Sequence, residues 1–201
     1  MSLRTLRAQR AFTLVEMLVV VVILGVVLTL VAPSFQQMIL MQRLSGINSQ
    51  LITDLQFARS EAATRNAFTR VTFRSNAAMS CYSIYTYPSN SNRCDCRLTP
   101  ACPVVPGLVE VRTVRVPVDS KVSVVPGLLS SGLLSPIEFA FDPIAGGLWR
   151  TPTDSESTSL AEYSVSASVN SNLKLLTELK RSGRPSVCAP AGSVMRAAAC
   201  S

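Results

Sequence analysis

Histidine is absent from this 201-residue chain, and charged residues make up only 15% of it. Without an imidazole there is no Ser-His-Asp or Cys-His arrangement and no histidine metal cluster. No phosphate-binding glycine loop occurs. Acids are outnumbered, 12 against 19 Lys and Arg, and beyond residue 66 they are scattered, so no carboxylate pair stands out for acid–base work. Aromatics are sparse at 6%, and Trp149 is the single tryptophan; the sequence gives it no role. These shortages point away from an enzyme: no catalytic residue, no cofactor and no metal is expected. The net charge of +7 is modest, and three of the arginines precede residue 12, so the remainder is not a nucleic-acid-binding composition by itself.

Charge is scarcest between Phe12 and Ala32, FTLVEMLVVVVILGVVLTLVA, where Glu16 is the only charged residue. As a helix, a run of this length covers roughly the 30 Å hydrocarbon thickness of a bilayer. Arg4, Arg7 and Arg10 stand before it with no acid among them, which places the N-terminus in the cytoplasm and the rest of the chain outside. A carboxylate inside such a span costs about 2.5–3.5 kcal/mol. Glu16 sits a turn inside the run, where it could reach back to the interface; the favoured reading is a partner that neutralises it after insertion. A secretory signal peptide would be cut after the apolar run at an A-x-A-like site. Leu30-Val31-Ala32 followed by Pro33 does not provide one. A signal anchor on a periplasmic enzyme is the more serious competitor.

The six cysteines, Cys81, Cys94, Cys96, Cys102, Cys188 and Cys200, all fall on the expected outer side. An even count in an oxidising compartment predicts disulfides, although the count does not select a pairing. Proximity favours Cys188 with Cys200, and the other four then pair among themselves. Cys94 and Cys96 are too close in sequence to favour each other, and Cys-x-Cys is not zinc spacing.

The pattern along the chain predicts an α+β protein: a long N-terminal helical spine and a C-terminal antiparallel β-sheet domain. Residues 12 to 66 read as one helix bent near Pro33. Leu44, Ile47, Leu51, Leu55, Ala58 and Ala62 recur at spacings of three and four, with Arg43, Asp54, Arg59 and Glu61 off that stripe. Glu61 and Arg65 form a favourable i,i+4 pair. After Asn66 the period becomes two. Strands are expected at 68–74, 81–87, 109–116, 121–125, 137–141, 163–169 and 173–180, with Ile137, Phe139 and Phe141 inward and serine at every outward position of 163–169. Residues 88–107 and 142–159 read as long loops. Val104-Val-Pro-Gly-Leu108 recurs as Val124-Val-Pro-Gly-Leu128, which suggests two similar Pro-Gly turns. The divisions expected are 1–11, 12–32, 33–66 and 67–201.

Ala11-Phe12-Thr13-Leu14-Val15-Glu16 resembles the N-terminal signature of type IV pilins and type II secretion pseudopilins. In that family a basic leader is cut before a Phe, the fifth mature residue is Glu, and many members have Pro at the twenty-second. Here these are Phe12, Glu16 and Pro33, with Ala11 where Gly is usual. The resemblance implies that prepilin peptidase removes residues 1–11 and N-methylates Phe12. It also implies that Glu16 meets the N-terminal amine of a neighbouring subunit. Leu55-Gln-Phe-Ala-Arg-Ser-Glu-Ala-Ala-Thr-Arg-Asn66 and Ile137-Glu-Phe-Ala-Phe-Asp-Pro143, followed by Gly146-Gly147, are similar to the GspH/FimT group of minor pilins. The resemblance further implies an assembly subunit of a pilus priming or tip complex. It would be a single-pass protein of the bacterial inner membrane with a periplasmic domain, later part of a pilus or pseudopilus. Its partners would be major and minor pilins, the prepilin peptidase and the inner-membrane assembly platform. A GspH-type pseudopilin of a type II secretion system is the same-class alternative.

From Lys174 onward, Lys174, Lys180, Arg181, Arg184 and Arg196 face one acid, Glu178. Lys180-Arg-Ser-Gly-Arg-Pro185 would set charges around a tight turn, which can contact phosphates without reading sequence. Some FimT-like pilins are DNA receptors through a C-terminal Gly-Arg-x-Arg motif. Gly183 and Arg184 match it, and Ser186 replaces the second Arg, with Lys180 and Arg181 as possible compensation. An ordinary solvated turn is the favoured reading and DNA binding the minority one.

Overall fold

The computed structural model describes residues 12–86, 93–129, 131, 133–135, 137–150 and 158–200, without the side chains of residues 30–34, 158 and 159. The expected leader and Ala11 therefore lie outside the described residues, as does the Pro33 side chain. Helix α1 spans Leu14–Arg65. The chain divides into two compact units that meet between Ile39 and Leu40, and each is taken separately.

In the first unit, Thr13 caps the helix. Its Oγ1 accepts the Glu16 backbone N–H at 3.2 Å, and Thr13-x-x-Glu16 has the spacing of a capping box. Glu16 thus lies in the first turn, where the exposed N–H groups favour negative charge. From Leu14 to Leu28 every large apolar side chain is at least 46% exposed. Among the described residues no helix is long and apolar enough to cross a membrane; Leu30, Val31 and Ala32, which complete the apolar run in the sequence, have no described side chains.

In the second unit, the rest of α1 packs on two antiparallel sheets. Strands β1 (Thr69–Ser75), β2 (Met79–Thr86), β3 (Val109–Pro117), β5 (Glu138–Phe141), β6 (Leu148–Arg150) and β7 (Thr158–Ser159) form one, in the order β3-β2-β1-β5-β6-β7. Strands β4 (Ser123–Pro126), β8 (Glu162–Ser168), β9 (Lys174–Lys180) and β10 (Pro185–Cys188) form the other, in the order β10-β9-β8-β4. Register alternation sends Val71 and Phe73 of β1, opposite Ile84 and Tyr82 of β2, into the core. That core joins Leu44, Leu51, Leu55, Ala58 and Ala62 of α1 to both sheets. Burying each such leucine stabilises the fold by about 1.5–3 kcal/mol. Tyr163 of β8 ties the sheets together, its ring centroid 4.3 Å from Phe139 and 6.2 Å from Phe73.

Several expectations need correction. Asp54 is 1% exposed. It accepts a 2.7 Å hydrogen bond from the Tyr82 hydroxyl and sits 2.8 Å from an Arg112 guanidinium nitrogen. Ser164 and Ser166 are buried although they face away from the core. The segment after β4 crosses them: Ser164 Oγ donates to Leu128 O at 2.7 Å, and Ser164 N donates to Ser135 Oγ at 2.9 Å. Ile137 is 46% exposed. Residues 142–159 are not one loop, because β6 pairs with β5 through Phe141↔Leu148. Only the first Val-Pro-Gly run makes the expected turn, with Leu108 N donating to Val105 O and Gly107 at φ 83°. The second continues as β4.

The cysteines pair as Cys81–Cys96, Cys94–Cys102 and Cys188–Cys200. The first two hold the segment from Arg93 to Leu108 against the face of the β1–β2–β5 sheet opposite the core. Arg115 of β3 secures it by donating to Cys96 O at 2.7 Å and Leu98 O at 2.6 Å. Beneath lie Arg70 and Glu138, 3.5 Å apart, with Arg93 3.4 Å from the same carboxylate. Burial, and then the Glu138 charge, push the neighbouring Tyr85 hydroxyl well above its usual pKa, so it remains protonated.

Candidate functional site

Two regions carry the residues singled out by sequence. At the amino end, Phe12 is 71% exposed, one residue before the capping Thr13. Glu16 follows in the first turn and is also exposed. The large apolar side chains from Leu14 to Leu28 are all exposed, so this segment leaves apolar surface uncovered along its length.

At the other end, β9 and β10 form a hairpin whose tip is Arg181–Arg184. Gly183 makes the turn at φ 71° and donates its N–H to Lys180 O at 2.8 Å. A side chain there is excluded twice over. The left-handed conformation disfavours one, and a Cβ would stand 2.1 Å from Gly146 O. The tip lies on the β5–β6 turn, where Leu148 N donates to Arg181 O at 3.0 Å. Lys180 is 3.6 Å from Glu178, while Arg184 is exposed beside Pro185.

Helix α1 supplies a residue to the same corner. Arg59 Nε donates to Gly146 O at 3.0 Å across 87 residues of sequence. Two clefts of about 280 Å³ are each lined in part by Arg59. One is lined by Gln56, Arg184 and Pro185, the other by Gln56, Ser60, Ala63, Ile144, Ala145 and Gly146. Sequence spacing puts Arg59 off the apolar stripe and Gly146-Gly147 in a turn but holds no signal that would join them. Glu178 lies near the sulfurs of Cys188 and Cys200, which are bonded to each other and so are not thiolate ligands.

Residues 6–32 match the family described as the prokaryotic N-terminal methylation motif. Residues 48–147 match the family described as type II transport protein GspH. The chain belongs to the type IV pilin and GspH-like superfamily. No curated protein and no solved structure matches it. The superfamily assignment accounts for the α+β architecture and for an amino-terminal motif that spans Phe12 and Glu16. These families are structural, and the motif is that of membrane-anchored prepilins processed by a peptidase. The GspH match takes in Arg59, the first two disulfides and the β5–β6 turn. The hairpin bearing Lys180, Arg181, Gly183 and Arg184 lies beyond both matched ranges.

Proposed function

We propose that this protein is a minor pilin, a non-enzymatic subunit that primes or caps a type IV pilus. Residues 1–11 are a leader cut between Ala11 and Phe12, and Phe12 is then N-methylated. Residues 12–32 hold the subunit in the inner membrane and 33–66 form the amphipathic half of the spine. Residues 67–201 form the periplasmic domain. Glu16 pairs with the amine of a neighbouring subunit once the helix moves into the assembly, which offsets the burial of both charges. The observation that supports this reading is the Leu14–Leu28 segment, whose large apolar side chains are all exposed behind a single first-turn carboxylate. Such a segment suits a helix destined for lipid and then for a bundle of like helices.

Intact-mass and N-terminal analysis of the membrane-extracted protein tests it. An N-terminus at Phe12 carrying one methyl group supports the reading. Retention of residues 1–11 in cells with active prepilin peptidase rejects it and raises a signal-anchored enzyme in its place. Glu16→Ala should leave cleavage intact and impair incorporation; normal incorporation sinks the pairing. A pseudopilin role in type II secretion is the same-class alternative, and loss of secretion rather than of pili on deletion would select it.

A second reading, a pilus-presented DNA receptor, draws on the exposed Arg184 at a tip whose backbone is fixed. It expects duplex DNA to bind the full chain with affinity that falls steeply with salt and weakens in Lys180→Ala, Arg181→Ala and Arg184→Ala. No binding at low salt would remove it.

A further inference from the structure

Two arginines from distant parts of the chain, Arg59 of α1 and Arg184 of the β9–β10 tip, line one cleft with Gln56 and Pro185, and no carboxylate is among these lining residues. Like charges converging without an acid favour an anionic occupant, because each guanidinium presents a planar fork of donors suited to an oxyanion. The cleft is also built in advance. Gly146 O holds Arg59 through Nε, and the Gly183 turn that delivers Arg184 is seated against that same carbonyl. Ordering cost on binding is correspondingly small.

The flank decides between kinds of anion. The adjoining cleft shares Gln56 and Arg59 and is bordered by Ala63, Ala145 and Ile144, and Ile144 is 90% exposed. An apolar knob offers nothing to a phosphate backbone and much to a peptide side chain. Lys180, at the foot of the turn, is also matched by Glu178 at 3.6 Å, which lessens the positive charge that a phosphate backbone would meet beside the cleft.

We infer that the Arg59–Arg184 cleft docks a carboxylate side chain of a protein partner, with an apolar neighbour of that carboxylate resting on Ile144. The interaction is separate from the Glu16 pairing, so either can fail alone.

The probe is the peptide acetyl-Leu-Glu-Leu-amide, titrated against the full chain in detergent micelles while the backbone amides of Gly146 and Gly183 are followed by NMR. Its Gln counterpart and a short DNA duplex are run beside it. Both amides should shift with the Glu peptide. Affinity should drop about tenfold for the Gln peptide and for Arg184→Gln, the loss of one charge-assisted contact. Ile144→Ser should weaken the Leu-flanked peptide while leaving acetate unaffected. Arg184 is exposed, so an unchanged urea midpoint in Arg184→Gln separates lost binding from lost folding. Equal binding of the Glu and Gln peptides, or undiminished binding to Arg184→Gln, overturns the inference. Duplex DNA shifting these amides while the Glu peptide does not would replace the carboxylate by a phosphate.

Discussion

The buried carboxylate of Asp54 is the sharpest test of how the spine is keyed to the sheet. Asp54 lies against β2 and β3, with Tyr82 donating to one oxygen at 2.7 Å and Arg112 2.8 Å from the other. Burial, then the hydrogen bond to Asp54 and its charge, push the Tyr82 hydroxyl far above its ordinary pKa. It is therefore a permanent donor. Removing it in Tyr82→Phe deletes a hydrogen bond to a charged group, about 1.5–3 kcal/mol. Asp54→Ala leaves the hydroxyl buried without its acceptor, about 1–3 kcal/mol. The Arg112 contact adds less than about 1 kcal/mol, since that side chain is 46% exposed and screened. Alanine's better helix propensity returns about 0.7 kcal/mol.

The double variant loses both partners together and should be far less destabilised than the sum of the two, with a coupling of about 1–2 kcal/mol. Trp149, on β6 beside Phe68 at 5.9 Å between ring centroids, is the only tryptophan and reports unfolding of this domain. Urea titrations of the full chain in detergent, with disulfides intact, should place each single variant's midpoint roughly 1 M below the parent. A coupling below about 0.5 kcal/mol would mean that Asp54 and Tyr82 do not act as a pair, and the helix would not be keyed to the sheet through them.

Other outcomes are expected at three places. Asp95 is held down to about 2 chiefly by its hydrogen bonds from Arg97, from an ordinary value of 3.8. A depressed carboxyl stabilises the fold above its unfolded pKa and loses that contribution as pH falls from about 4 through about 2. Acid titration of Asp95→Asn should show a shallower stability loss across that window; an identical acid limb would contradict it. Gly183→Ala should cost about 1–2 kcal/mol from the left-handed turn alone. It should also speed hydrogen exchange at Leu148, whose N–H bonds to Arg181 O, and unchanged exchange would show that the tip does not rest on the β5–β6 turn. Replacing Cys188 and Cys200 by serine opens a loop with a sequence separation of 12 and should lower stability by about 2–4 kcal/mol in the same urea assay.

The apolar stripe of α1 was readable because its leucines and alanines recur at helical spacing, and the structure buries Leu44, Leu51, Leu55, Ala58 and Ala62 completely. Asp54 and Asn48 were not readable from chemistry. Both lie on the same face, three or four residues from those leucines, yet a polar side chain reads as solvent-facing until its partner is known. The partners are Tyr82 and Thr177, 28 and 129 residues away. Strands β6 and β7 are three and two residues long, too short for a period-two signal. Ser164 and Ser166 alternate as an exposed strand face should, but a segment from elsewhere in the chain covers them, and alternation does not record what lies above a sheet.

The hairpin tip shows the same division between local and distant information. Lys180 to Pro185 reads as a turn because Gly183 and Pro185 punctuate it, and a turn in isolation would leave its cations on a loose surface loop. The structure adds what spacing could not carry: Gly146 and Leu148 of another strand pair receive the turn, and Arg59 of the spine reaches the same carbonyl that Gly183 abuts. A cation on a fixed backbone differs from one on a loose loop, because it is already oriented when a ligand arrives and loses less entropy in binding. The tip, the β5–β6 turn and the end of the spine therefore act as one positioned surface, and a substitution at Gly146 or Gly183 should disturb Arg59 and Arg184 together.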